Sequence, residues 1–257
     1  MRATAVALIA SLALAACGPV WNDPYPAAER GEHVLYTAFT ERPKHLDPVQ
    51  SYSEDEASFL YQIVEPPLQY HYLKRPYVLE PATSDGMPRL RRLDANGREL
   101  PATADPAKVV STVVEVRIRP GILYQPHPAF ATTDTGEPRY LGLGVGDLDD
   151  VRGLGDFAET GTRELVAADY VYSLKRFADP ANKSPAWGEV AEVGYTGLAA
   201  LRQRAIDTRT PFDYDTPIPG LQALDRHTLQ LTVDEPRPRL VEYLADNGLY
   251  GAVAREV

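Results

Sequence analysis

A single cysteine, Cys17, serves the whole chain of 257 residues. No intrachain disulfide can close and no cysteine zinc cluster can form, so the fold has to be held by burial of its own apolar side chains. With 44% hydrophobic residues, the chain carries enough apolar surface for one large core or two modest ones. Proline is abundant at 23 residues, about 9% against an ordinary 5% or so, which predicts short elements joined by extended crossings. The formal charge is −10, and −11 without Arg2. Nucleic acid therefore meets no basic footprint on this chain.

Behind Arg2, residues 3–16 are apolar apart from Thr4 and Ser11. As a helix this run rises about 21 Å, short of the roughly 30 Å hydrocarbon core, so it reads as a signal h-region rather than a membrane span. Leu14-Ala15-Ala16-Cys17 resembles the lipobox of bacterial lipoproteins. That resemblance implies a signal peptide over 1–16, lipidation of Cys17, and a place on the periplasmic side of the envelope, anchored by lipid to a membrane. Residues 17–32, with three prolines, read as a flexible tether.

Beyond the tether, residues 33–39 read as a buried strand. Ser53 and Glu56 have capping-box spacing ahead of a helix whose apolar face carries Ala57, Leu60, Tyr61 and Val64 and which stops at Pro66-Pro67. Residues 109–119 alternate Thr112, Val114, Val116 and Ile118 with Val113, Glu115, Arg117 and Arg119, which predicts a half-exposed strand. Residues 125–162, rich in glycine, proline and acids, read as an irregular excursion. Val166, Tyr170, Val171, Leu174 and Phe177 form the apolar stripe of a helix over 166–178, with Asp169 near its start and Lys175 and Arg176 at its end. Further helices are expected over 198–206 and 239–245, and a strand over 228–233.

No catalytic centre emerges from the residues. Gly142, Gly144 and Gly146 precede Asp147 rather than a further glycine, and the acidic run that follows would repel a pyrophosphate. Val151 breaks any calcium-loop pattern. The histidines at 33, 45, 71, 127 and 227 lack ligand spacing, no Gly-x-Ser-x-Gly elbow occurs, and Asp213 and Asp215 are ordinary loop acids. No metal or cofactor is expected. Tyrosine is the remaining anomaly, with fifteen against six phenylalanines. Tyr36, Tyr52, Tyr61, Tyr70, Tyr72 and Tyr124 could line a ligand cleft, since tyrosine joins a flat apolar face to one hydroxyl.

The ordered motifs Leu46-Asp47-Pro48, Val64-Glu65-Pro66-Pro67-Leu68-Gln69-Tyr70, residues 116–124, residues 165–176 and residues 224–233 together resemble the family 5 extracellular solute-binding proteins, the peptide and nickel receptors of ABC importers. The resemblance spans roughly residues 33–250. It implies an α/β fold: a periplasmic-binding-protein-like first lobe with a mixed sheet and flanking helices, built from 33–50 and 206–257, and an inserted β-rich subdomain over 51–205. The second lobe would be absent from this chain, making it an N-terminal portion. The implied function is capture of an oligopeptide or similar solute and its delivery to an ABC permease in the inner membrane, by a monomer without enzymatic activity. Phe39, Thr40 and Glu41 would lie beside the ligand, with Tyr124 as a further contact. Val166 stands where the family has a threonine or serine, which removes a helix cap at a cost of about 1 kcal/mol unless a neighbouring loop replaces it. An adaptor lipoprotein without a small ligand, and an envelope hydrolase, remain open readings of the residues alone.

Overall fold

Alternation of aliphatic and polar side chains over 111–117 places Val114 and Val116 on one sheet face and Glu115 and Arg117 on the other, and the architecture grows around this strand. The computed structural model describes Tyr25, residues 27–29 and residues 31–257. Two units divide the chain, Met1–Thr40 and Glu41–Val257. The expectations for the signal peptide and for Cys17 lie outside the described residues.

In the N-terminal unit, Ala27–Glu29 makes one 3₁₀ turn. The strand expected over 33–39 does not form: these residues belong to no ladder among those described, and Leu35 is 86% exposed. A run of β-formers becomes a strand only where an edge is available to pair with it. Here Tyr36 instead donates to Glu29 and stacks on Tyr25.

The larger unit layers helices on a sheet. Its strands are β1 (Leu68–Tyr70), β2 (Leu79–Pro81), β3 (Arg89–Leu93), β4 (Glu99–Leu100), β5 (Ser111–Arg117), β6 (Leu221–Ala223) and β7 (Thr228–Val233). β1 and β2 pair as a hairpin, and the other five form a sheet in the order β4-β3-β5-β7-β6. Where a mixed sheet is expected, all four pairings in this sheet are antiparallel. The turns between β3 and β4 and between β6 and β7 are too short for a parallel crossover. Val114 faces Leu231 and Val116 faces Leu229 across the central ladder. All four are fully buried.

The helices are α1 (Glu54–Ile63), α2 (Ala167–Ala178), α3 (Trp187–Val193), α4 (Leu198–Thr208), α5 (Leu240–Tyr243) and α6 (Asn247–Tyr250). α2 lays Tyr170, Leu174 and Phe177 into the core against the sheet. Its missing cap is replaced locally: the Val166 amide donates to the Asp169 carboxylate at 3.0 Å, and the Ala167 amide donates to the Arg226 carbonyl at 2.9 Å. The two basic residues of its last turn do more than complement the helix dipole. Arg176 makes a two-bond pair with Asp47 at 2.8 and 2.6 Å, and buried Lys175 donates to the Tyr214 and Thr216 carbonyls at 2.7 Å each.

Between the helices and the sheet edge, Gly220 is wedged against a neighbouring segment. Its amide donates to Thr196 O at 2.8 Å and its carbonyl accepts from Thr232 N at 3.0 Å. A Cβ there would lie 2.5 Å from Thr196 N, a backbone atom that cannot swing aside. Gly220→Ala is expected to cost about 1–3 kcal/mol through overpacking, lowering the thermal midpoint by roughly 3–10 °C for a chain of this size. Thermal unfolding followed by circular dichroism checks it.

Candidate functional site

The capping box at the start of α1 does more than begin a helix. Ser53 Oγ accepts from the Glu56 amide at 3.3 Å, and the Glu56 carboxylate reaches back to the Ser53 amide at 3.2 Å. That carboxylate also accepts from the Tyr52 amide and Ser51 Oγ through Oε2, and from the Lys44 and His45 amides through Oε1, at 2.9–3.2 Å. Glu56 is only 3% exposed. Backbone N–H donors, that of Tyr52 foremost, hold its pKa down at about 2. One buried anion thus ties residues 44–45 to 51–53 and braces Tyr52 and Ser53, which line two clefts.

The larger cleft, about 420 Å³, lies between α1, α3 and α6. Tyr52 and Tyr61 line it together with Leu60, Glu54, Glu189 and Asp246. Tyr61 is pushed up from its ordinary pKa by burial and by the nearby Asp246 charge. Asp246 caps α6 by accepting from the Leu249 amide at 3.0 Å. Glu54 and Glu189 enter no ion pair among the described residues. The cleft therefore combines aromatic faces with uncompensated carboxylates, which suits an apolar body carrying an amine or guanidinium.

The smaller cleft, about 250 Å³, shares Tyr52 and Ser53 with the larger one, and Glu41, Arg42, Lys44 and Glu56 line it. A third opening of about 420 Å³ sits at the start of α2. Its charges are matched internally: Arg163 grips Asp169 at 2.8 Å through two bonds and Glu256 at 2.6 Å through two more, while Glu164 holds Arg226 and His227. A self-satisfied network offers a ligand less than the open carboxylates near α1.

Of the residues named from sequence, Glu41 lines the smaller cleft. Phe39 and Thr40 fall in the N-terminal unit and are exposed. Tyr124 lines none of the three clefts. Its ring packs beneath the Arg163 guanidinium at 5.0 Å and beside Phe130 at 5.7 Å, and its buried hydroxyl has no protein hydrogen-bond partner. Burial, reinforced by the charge of Asp169, pushes that hydroxyl well above the usual tyrosine pKa. Tyr52 and Tyr61 reach a cleft, whereas Tyr70 and Tyr72 stand on the β1–β2 hairpin and Tyr36 lies in the N-terminal unit. Sequence reasoning missed Glu54, Glu189 and Asp246, because residues so far apart converge only through packing of α1 with α3 and α6. Among the described residues, no three His, Cys, Asp or Glu side chains form a metal cluster, and no helix is long and apolar enough to cross a membrane.

No family model and no curated protein matches the chain. Solved structures to which it is similar include the pheromone receptor PrgZ, described with its mode of peptide binding, at 16% identity and TM-score 0.47, over 82% of this chain and 29% of that one. Haemophilus influenzae OppA in complex with RPPGFSPFR matches at 16% identity and TM-score 0.46, over 81% of this chain and 28% of that one. The Escherichia coli murein tripeptide binding protein MppA matches at 18% identity and TM-score 0.48, over 83% and 29%. The chain spans less than a third of the length of these structures.

Because Glu56 is held at a pKa of about 2 in the fold, against 4.5 unperturbed, its contribution to stability is fully present above pH 4.5 and fades as pH falls towards 2. Glu56→Gln replaces an acceptor with an amide whose N–H₂ group faces backbone donors. A lower unfolding midpoint is expected at pH 7, with the gap to wild type narrowing from pH 4.5 downwards. Paired denaturation curves across that range give the comparison.

Proposed function

We propose that this chain captures an oligopeptide or similar solute outside the inner membrane and passes it to an ABC permease, as a solute-binding protein of family 5. One observation carries the reading: the separate motifs on which the resemblance rests meet at α2 and its sheet. Asp47 of Leu46-Asp47-Pro48 pairs with Arg176, and the Glu65 carbonyl accepts from the Tyr170 hydroxyl at 3.4 Å. Ile118 N donates to His227 O at 2.7 Å, and Ala167 N donates to Arg226 O. Motifs scattered over some 180 residues of sequence make one physical unit, as parts of a single ancestral design would.

The ligand would enter the cleft between α1 and α6, with Tyr52 and Tyr61 stacking on it and Glu54, Glu189 or Asp246 meeting an amino group. Glu41 would contribute from the adjoining cleft. Lipidation at Cys17 would tether the receptor beside its permease through a linker of about fourteen residues. In a cleft open to solvent on one side, ligand burial is partial and binding is expected to be weak.

Weak binding calls for a method that sees it residue by residue. In ¹H–¹⁵N NMR titration of the full chain with a mixture of short peptides at millimolar concentration, amides of Tyr52, Tyr61 and Leu249 are expected to shift. The shifts should fall by at least half in a Tyr52→Ala, Tyr61→Ala double variant. Silence of these amides, or shifts confined to Arg163 and Glu164, counts against the assignment. Lipid attachment is a separate expectation: labelled fatty acid should enter the chain in cells and be lost with Cys17→Ser.

A further inference from the structure

The tip of the β1–β2 hairpin combines fixed positive charge with exposed aromatic side chains. Residues 70–78 read Tyr-His-Tyr-Leu-Lys-Arg-Pro-Tyr-Val, with two fixed positive charges and no acid, in a protein whose formal charge is −10. Its apolar side chains face solvent: Tyr72 is 87% exposed, Leu73 77% and Tyr77 70%. None of them lines the clefts described above. Large side chains left in water on a short hairpin are costly unless something covers them.

The tip is also held in shape. His71 N donates to Val78 O at 2.8 Å and closes the hairpin beyond the Tyr70–Leu79 pair. The His71 ring accepts through Nδ1 from the Leu73 and Lys74 amides at 3.2 and 3.3 Å. Arg75 donates to the Tyr72 and Lys74 carbonyls at 3.3 and 2.8 Å, and its guanidinium lies 4.5 Å over the Tyr77 ring. Tyr70 meets Tyr77 edge to face at 5.9 Å. Three backbone amides, of His71, Leu73 and Lys74, and three carbonyls, of Tyr72, Lys74 and Val78, thus have partners within the tip itself.

We propose that this tip is a docking element for an anionic lipid bilayer, seated at the headgroup level. Three features select that partner. Tyrosine and leucine beside lysine and arginine suit the interface, where an aromatic ring has one end apolar and one end wet. Two cations without a neighbouring acid are drawn to anionic headgroups, while the acidic remainder is kept off the surface. Internal pairing of the His71, Leu73 and Lys74 amides and of the Tyr72, Lys74 and Val78 carbonyls lowers the penalty of carrying this backbone to the headgroup level, where the remaining groups still meet water. Contact there would fix which side of the larger unit faces the bilayer.

The test must separate the tip from the apolar N-terminal run, so it reads position as well as binding. The full chain carrying Cys17→Ser and Leu73→Cys is labelled with the polarity-sensitive fluorophore NBD, and a second form carries the label at Ala200→Cys on the exposed side of α4. Vesicles of phosphatidylcholine alone, and of equal parts phosphatidylcholine and phosphatidylglycerol, are added to each. A several-fold rise and blue shift of emission is expected at position 73 with the anionic vesicles only, with little change at position 200. Lys74→Glu with Arg75→Glu should abolish the rise, as should Tyr72→Ser with Tyr77→Ser. An unchanged signal at position 73 while the chain sediments with anionic vesicles overturns the proposal, as does a rise that survives charge reversal. A rise that instead grows with protein concentration in the absence of lipid assigns the tip to self-association and overturns it too.

Discussion

The antiparallel ladder between β5 and β7 is the constraint on which the larger unit depends. It joins residues 112–117 to 228–233, and the chain between them leaves the sheet after β5 and rejoins it at β6. The aliphatic pairs Val114 with Leu231 and Val116 with Leu229 make one face of that ladder the floor of the core. α2 can bury its stripe only because this floor exists. Helices of its length gain most of their stability from such packing rather than from propensity.

Onto that frame the structure adds a few charges that each bind several loops. Glu56 gathers donors from residues 44–45 and 51–53, Lys175 holds the carbonyls of Tyr214 and Thr216, and Arg163 bridges Asp169 and Glu256. A chain without disulfides and rich in proline has many irregular segments whose polar backbone must be satisfied. Multidentate side chains do this at junctions where no ladder reaches. Of these anchors Glu56 also braces the segment lining the clefts near α1, so the stability of that region and the shape of those clefts are physically linked.

Local order was readable in advance wherever neighbouring residues dictate it. Ser53 with Glu56 marked the start of α1, the stripe of Tyr170, Leu174 and Phe177 marked α2, and alternation marked β5 and β7. The β1–β2 hairpin escaped notice because three-residue strands carry too little periodicity to register. Residues 33–39 misled in the opposite direction: their composition suits a strand, but β structure is made between segments, and composition cannot say whether an edge lies alongside. Of the named site residues, Glu41 stands in a cleft while Tyr124 is packed under Arg163, a difference that spacing along the chain does not encode.

The sequence alone thus determined the central strands β5 and β7, the bounds of α1 and α2 to within a residue or so, and the absence of any disulfide staple, since these follow from side-chain chemistry within a few residues. Only the tertiary structure decided that Glu54, Glu189 and Asp246 share a cleft with two tyrosines, that Glu56 lines the smaller cleft beside it, and that a basic aromatic tip stands in solvent. The shared cleft depends on how α1, α3 and α6 pack together. Convergence of groups more than a hundred residues apart is a property of that packing, carried by no local stretch of sequence.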